Sequence, residues 1–209
     1  MTLAELEKNL DVKFPKKFHE IYKTGAMEWL EVEGEKYNEN IEHYLNDPKT
    51  FFVLSGEIFP ICFNSIPEYI EKLNETIEFH ENLMNVKLDK KLRFIPFALN
   101  GEFDYYCFMY EKGSDEPKIV KIDYNTRYIP DIIGKDFDEF LYIMMLSCAA
   151  DCAFDDDFFE LEREHWKNHF NYLLPEYRKK ITEKITESTS EELFKFYLLM
   201  NFEEIEIFS

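Results

Sequence analysis

Apolar residues at the start of the chain recur every three or four positions. Leu3, Leu6 and Leu10 line one face of a predicted helix. Thr2, with Glu5 three residues later, forms a capping box in front of it. A second helix follows in DVKFPKKFHEIYKTG. Pro15 suits its first turn, Phe18, Ile21 and Tyr22 give it an apolar face, and Gly25 stops it. Glu31 to Asn40 is polar and acidic and reads as a loop or a ragged edge. The run FFVLSGEIFPICF predicts two short strands around Ser55 and Gly56. Helical spacing returns with Ile66, Ile70, Leu73, Ile77 and Met84. Ser65 and Glu68 form a second capping box there, and Pro67 lies in the first turn.

The pattern then changes from helical to extended. LRFIPFAL and YYCFMYE are β-rich runs joined by NGEFD. PKIVKIDY alternates and predicts the third strand of a meander, reached through the acidic hairpin loop KGSDEP. DFDEFLYIMMLSCAADCAF predicts a helix started by Asp136, with Glu139 three residues later. After about residue 150 the chain turns strongly acidic. DDDFFELEREHWKNHFNYLL, PEYRKKITEKIT and SEELFKFYLLM read as helices, and FEEIEIF as a final edge strand. No internal repeat or low-complexity linker is present. The expected organisation is one α+β domain over 1–150 and an acidic, mostly helical extension over 151–209. FKFYLLM is too apolar to stay exposed, so the extension is expected to pack on the same domain.

Composition narrows the function. The chain has 209 residues, of which 45% are hydrophobic and 17% aromatic, so the core is expected to be rich in Phe and Tyr. Only 6 glycines and 8 prolines argue against disorder and against a Gly-rich phosphate loop. No apolar run approaches the roughly 18 residues of a membrane helix. MTLAELEKNLDVKF does not read as a signal peptide, and a cytoplasmic location is expected. The net charge is -19, from 24 basic and 43 acidic residues. Such a chain repels nucleic acid and anionic membranes and speeds the encounter with a basic protein. Acidity of this kind also simply keeps a protein soluble. Cys62, Cys107, Cys148 and Cys152 are expected to be reduced and largely buried. Cys148 and Cys152 share a helical face, but no second Cys or His pair at matching spacing completes a metal site.

Three stretches taken in order resemble the SUKH superfamily, the Smi/Knr-type proteins. They are LEKNLDVKFPKKFHEIYKTG, IPFALNGEFDYYCFMY, and PKIVKIDY followed by IGKDFDEFLYIMM. The resemblance covers about residues 1–150. The sequence departs where Met109 and Tyr110 follow Phe108, since the family usually has Asp or Asn there. The last sixty residues have no recognised counterpart. The resemblance implies an α+β fold, a mainly antiparallel sheet with helices packed around it. It also implies a binding role. Bacterial members commonly neutralise a toxin of a contact-dependent or polymorphic system, and fungal members regulate cell-wall synthesis through protein partners.

Within that frame several residues are candidates. EWLEVEGEKY places Glu28, Glu31, Glu33 and Glu35 beside Trp29 and Tyr37. Aromatics that anchor and carboxylates that steer suit a protein interface. The other reading is a solvated loop with Trp29 turned into the core. Asp155, Asp156 and Asp157 repel one another unless something answers them. They suit a helix cap, a basic partner or, less well, a metal. His165 and His169 have the i,i+4 spacing of zinc ligands, but Trp166 stands where His-Glu-x-x-His needs Glu. That stretch therefore reads as a surface helix with two ordinary histidines. Gly101 permits a tight turn, and Asp104 is placed to accept backbone N–H bonds across it. No His, Lys or second carboxylate accompanies Asp104 locally, so the turn reads as a hairpin rather than an active site. No catalytic motif appears, and neither a cofactor nor a metal is expected. The expected partner is a cognate protein toxin, basic and of the nuclease kind, with no direct nucleic acid and no membrane. A regulatory adaptor of the same fold is the alternative.

Overall fold

The structure is a computed structural model that describes residues 1–32, 34–51, 58–100, 104–122, 130–152, 160–187, 192 and 203–204. Among these described residues the centre is a six-stranded antiparallel meander in which strand order follows chain order. The strands are β1 (Ile58–Pro60), β2 (Leu92–Asn100), β3 (Tyr105–Glu111), β4 (Lys118–Ile122), β5 (Asp131–Gly134) and the short β6 (Glu203–Glu204). Successive side chains of a strand point to opposite faces. Tyr106, Phe108 and Tyr110 of β3 point into the larger core, and Tyr105, Cys107 and Met109 into the smaller one. Period two on one strand thus feeds two hydrophobic layers.

Helices cover both layers. The larger core receives α1 (Leu3–Leu10), α2 (Lys16–Tyr22) and α5 (Phe137–Cys152). The smaller core is closed by α4 (Ile66–Met84) through Leu73 and Ile77. Phe18 sits where the layers of the larger core meet, with ring centroids 5.3 Å from Phe14, 5.3 Å from Phe137 and 5.7 Å from Phe108. Phe97 stacks on Phe108 at 4.4 Å. The aromatic-rich core expected from composition is therefore a set of edge-to-face and offset contacts of the kind rings prefer.

Local chemistry places the helix starts. The Thr2 hydroxyl accepts from the Glu5 N–H at 3.3 Å, and the Glu5 carboxylate accepts from the Thr2 N–H at 2.8 Å, completing the predicted box. Asp136 caps α5 by accepting the Glu139 N–H at 2.8 Å. The second predicted box is not formed. Ser65 is in a right-handed helical conformation (φ -92, ψ -18) and its hydroxyl makes no cap bond, while Glu68 pairs with Lys72 at 2.6 Å. Close packing marks the β5–α5 connection, where a Cβ on Gly134 would stand 2.7 Å from the Phe140 nitrogen.

A further expectation is corrected. The acidic stretch expected as a loop is largely a helix, α3 (Gly34–Leu45). Its apolar side is thin, and packing of Tyr44 on Trp29 at 5.6 Å helps to hold it. Pro96, a residue type that fits a strand start or edge, lies mid-strand in β2, opposite Cys107. It is tolerated because β1 pairs only with Ala98–Asn100 and because a register shift follows between Pro96 and Ala98.

Beyond the meander, α6 (Glu160–Phe170) and α7 (Pro175–Glu187) lie against α5. Leu173, Tyr177 and Ile181 belong to the same buried cluster as Phe18 and Phe108. Glu203 and Glu204 pair with β5, as an edge strand was expected to do, whereas the SEELFKFYLLM helix falls outside the described residues apart from Glu192. Among the described residues no helix is long and apolar enough to cross a membrane. The fold is α+β: an antiparallel sheet wrapped by helices.

Candidate partner-binding site

A groove of about 590 Å³ opens where the turn after α2, the end of α3 and the last turn of α6 converge. The chain reaches it through Gly25, whose φ of +83° is the left-handed conformation glycine adopts without strain. The next residues form a 3-10 helix over Glu28–Glu31. Trp29 is 6% exposed and packs on Tyr44, so of the two readings its ring takes the core one, and only its remaining accessible part lines the groove. Glu28 and Asp47 are exposed on the lining, which also holds Tyr44, Tyr172, His43 and Lys49. The site is thus an aromatic floor with carboxylates beside it.

Helix α6 holds one wall in place. The Asn168 amide donates to the Pro48 carbonyl at 2.6 Å, and His165 Nε2 lies 2.9 Å from the Leu45 carbonyl. His169 Nδ1 lies 2.7 Å from the His165 carbonyl, and its ring stacks on Phe51 at 4.8 Å. A carbonyl only accepts, so each imidazole presents an N–H to it. Burial pulls His169 down to about 4, which keeps it neutral. The surface helix with two ordinary histidines is corrected here: both rings are buried, and the i,i+4 spacing serves to clamp the 45–51 segment. Among the described residues no group of three His, Cys, Asp or Glu could hold a metal ion.

The other candidates separate. The Glu31 carboxylate accepts from the Tyr22 hydroxyl, which burial and that carboxylate push up to about 12. Glu31 is therefore engaged in the fold. Glu33, Asp155, Asp156, Asp157 and Gly101 lie outside the described residues, as does the side chain of Glu35. Asp104 is buried in the hairpin. It accepts from the Asn100 amide at 2.7 Å and pairs with Lys121 at 2.8 Å, while its own N–H donates to Asn100 Oδ1 at 2.8 Å. Lys121 comes from β4, so the cation that answers Asp104 is invisible in the local sequence.

Sequence reasoning also missed Glu7. It is 2% exposed and gathers the Phe14 N–H at 2.7 Å, His19 Nε2 at 2.7 Å and Lys13 Nζ at 3.0 Å. Burial pushes its carboxyl up, but the N–H of Phe14, His19 and Lys13 outweigh it, and the net shift is down from 4.5. A carboxyl lowered by folding stabilises above its unfolded value and loses that contribution as pH falls through its folded value. Glu7→Ala is expected to cost about 1–3 kcal/mol at pH 7, because the Phe14 N–H loses its partner. The gap from the wild type is expected to narrow below pH 4.5, as read by urea unfolding of both proteins across pH.

A model of the SMI1 / KNR4 family (SUKH-1) matches residues 2–143, more than half of the chain. The chain belongs to that family. No curated protein and no solved structure matches it. SUKH-1 proteins are generally of the binding and immunity type rather than enzymes. The SUKH-1 match includes Trp29, Glu31, Gly101 and Asp104 and ends before α6. The groove is therefore built partly from family residues and partly from Asn168, Asn171 and Tyr172, which follow them.

Proposed function

We propose that this SUKH-1 protein is an immunity protein that binds a cognate toxin of a contact-dependent or polymorphic system in the cytoplasm. The observation that carries this reading is the groove at Trp29, where Glu28 and Asp47 stand beside Tyr44 and Tyr172. Such a surface takes basic side chains. The carboxylates attract lysine or arginine, and the rings offer flat faces to a guanidinium. A net charge of -19 supports the same partner class by steering a basic protein toward the whole molecule. A nuclease toxin fits best, because its own substrate site must be basic to bind phosphate. Inhibition would be stoichiometric occlusion of that site. Glu33, Glu35 and Asp155–Asp157 add to the proposed acidic surface, and residues 151–209 are proposed as an extension that completes it.

The test is capture of partners from the source cell with tagged protein, washed through a salt series. The expected result is one partner with a basic domain that is released at high salt, kills cells when expressed alone, and is tolerated when this protein is co-expressed. A salt-released partner without toxicity would replace the immunity reading with that of a regulatory adaptor.

A further inference from the structure

The acidity of the chain is not evenly spread. A second groove, of about 630 Å³, lies between the end of α1, the start of β2 and the β3–β4 turn. Lys8, Lys13, Lys90, Lys91, Arg93 and Lys112 line it. They are a quarter of the 24 basic residues of a chain whose net charge is -19. The carboxylates on the same lining are Glu7, Asp11, Glu111 and Asp115.

Pairing sharpens this imbalance. Glu7 is held by Lys13 and by the Phe14 N–H, and Glu111 is paired with Lys118, which does not line the groove, at 2.8 Å. Lys8, Lys90, Lys91 and Lys112 are exposed and enter no ion pair among the described residues. Arg93 donates to the Leu10 carbonyl, the last residue of α1, so its charge meets a neutral oxygen. That bond also answers the negative end of the helix dipole, which would otherwise oppose an anion here. Asp11 and Asp115 remain against five cations. Like charges around one groove repel each other, and a bound anion relieves that repulsion.

We propose that this groove is a binding site for a compact polyphosphate anion, of the size of a nucleoside di- or triphosphate. The volume lies in the range of small-molecule pockets, roughly 300–1,000 Å³. Val12, Leu92 and Tyr110 give the lining an apolar part on which a flat ring can rest. The acidic bulk of the protein decides between a small ligand and a longer one. A nucleic acid or an acidic peptide longer than the groove meets the repulsion of a chain whose net charge is -19, whereas a small polyanion ends inside the groove.

Thermal unfolding and isothermal titration of the full chain with ATP, GTP and inorganic pyrophosphate, at 0.1 M salt, test this. ATP or GTP is expected to bind saturably at one site and to raise the melting temperature. The doubly charge-reversed variant Lys90→Glu/Lys91→Glu is expected to bind at least tenfold more weakly. These side chains are exposed, so its far-UV spectrum should match the wild type. Glu75→Lys, exposed on α4 and lining neither groove, should bind as the wild type does. Absence of saturable binding, or equal binding by the double variant, overturns the proposal. Binding of polyglutamate in preference to every phosphate also overturns it and assigns the groove to an acidic peptide.

Discussion

Phe108→Ala is expected to destabilise the protein by about 3–5 kcal/mol, the range for emptying a buried phenylalanine site. Phe108 is fully buried. Its ring stacks on Phe97 at 4.4 Å and also meets Phe14 at 5.0 Å, Phe18 at 5.7 Å and Phe137 at 5.9 Å. Those partners come from β2, from α2 and the segment before it, and from α5, so no single element can relax into the space. Domains of this kind have only about 5–15 kcal/mol of stability in all, so a large part of the molecule's margin rests on one ring. Urea unfolding checks the value. Phe79→Ala is the matched comparison. Phe79 is 61% exposed on α4, and its loss is expected to change stability by no more than about 0.5 kcal/mol. A loss at Phe108 below about 1 kcal/mol would mean that the described core is not the one that holds the fold.

What the sequence made legible was the part written in short-range periods. The meander was readable because LRFIPFAL and YYCFMYE are continuous β-rich runs and PKIVKIDY alternates. The first helix was readable because Thr2 and Glu5 answer each other within one turn. The three family stretches were readable for the same reason, and the family match over 2–143 agrees with them. What escaped depends on partners far away in the chain. Helix α3 has few apolar positions, and its Tyr44 finds Trp29 only after folding. The histidines of α6 have a spacing that suggests zinc, but burial under the 45–51 segment decides their role. Thr24 and Tyr172 stand 3.1 Å apart on the groove and are separated by 148 in sequence number. The basic groove had one local signal, the run KLDKKLR at 87–93, whose four cations stand out in so acidic a chain.

Reversing two charges on the aromatic groove is expected to have the largest effect on binding. Glu28→Lys/Asp47→Lys should slow association with the captured partner at least tenfold at low salt and flatten its salt dependence. The dissociation rate should change less, because exposed rim charges act mainly on the encounter. Glu28 and Asp47 suit this experiment because both are exposed, but the Asp47 carboxylate also accepts the Lys49 N–H at 3.0 Å, so Glu28→Lys alone is measured beside the double variant to separate the changed field from that lost bond. Glu31 does not suit it. Its carboxylate holds the Tyr22 hydroxyl, so reversal there mixes a lost structural bond with a changed field. Trp29→Ala has the same fault, since it removes the support of α3 along with any contact to a partner. Stopped-flow association across a salt series separates the cases. If rate and salt slope are both unchanged, the groove does not steer the partner, and the acidic surface that does so must lie elsewhere, with Asp155–Asp157 the next residues to reverse. If both fall together, the negative charge of the chain is focused at Glu28 and Asp47, and acidity in this protein is part of how it finds its partner.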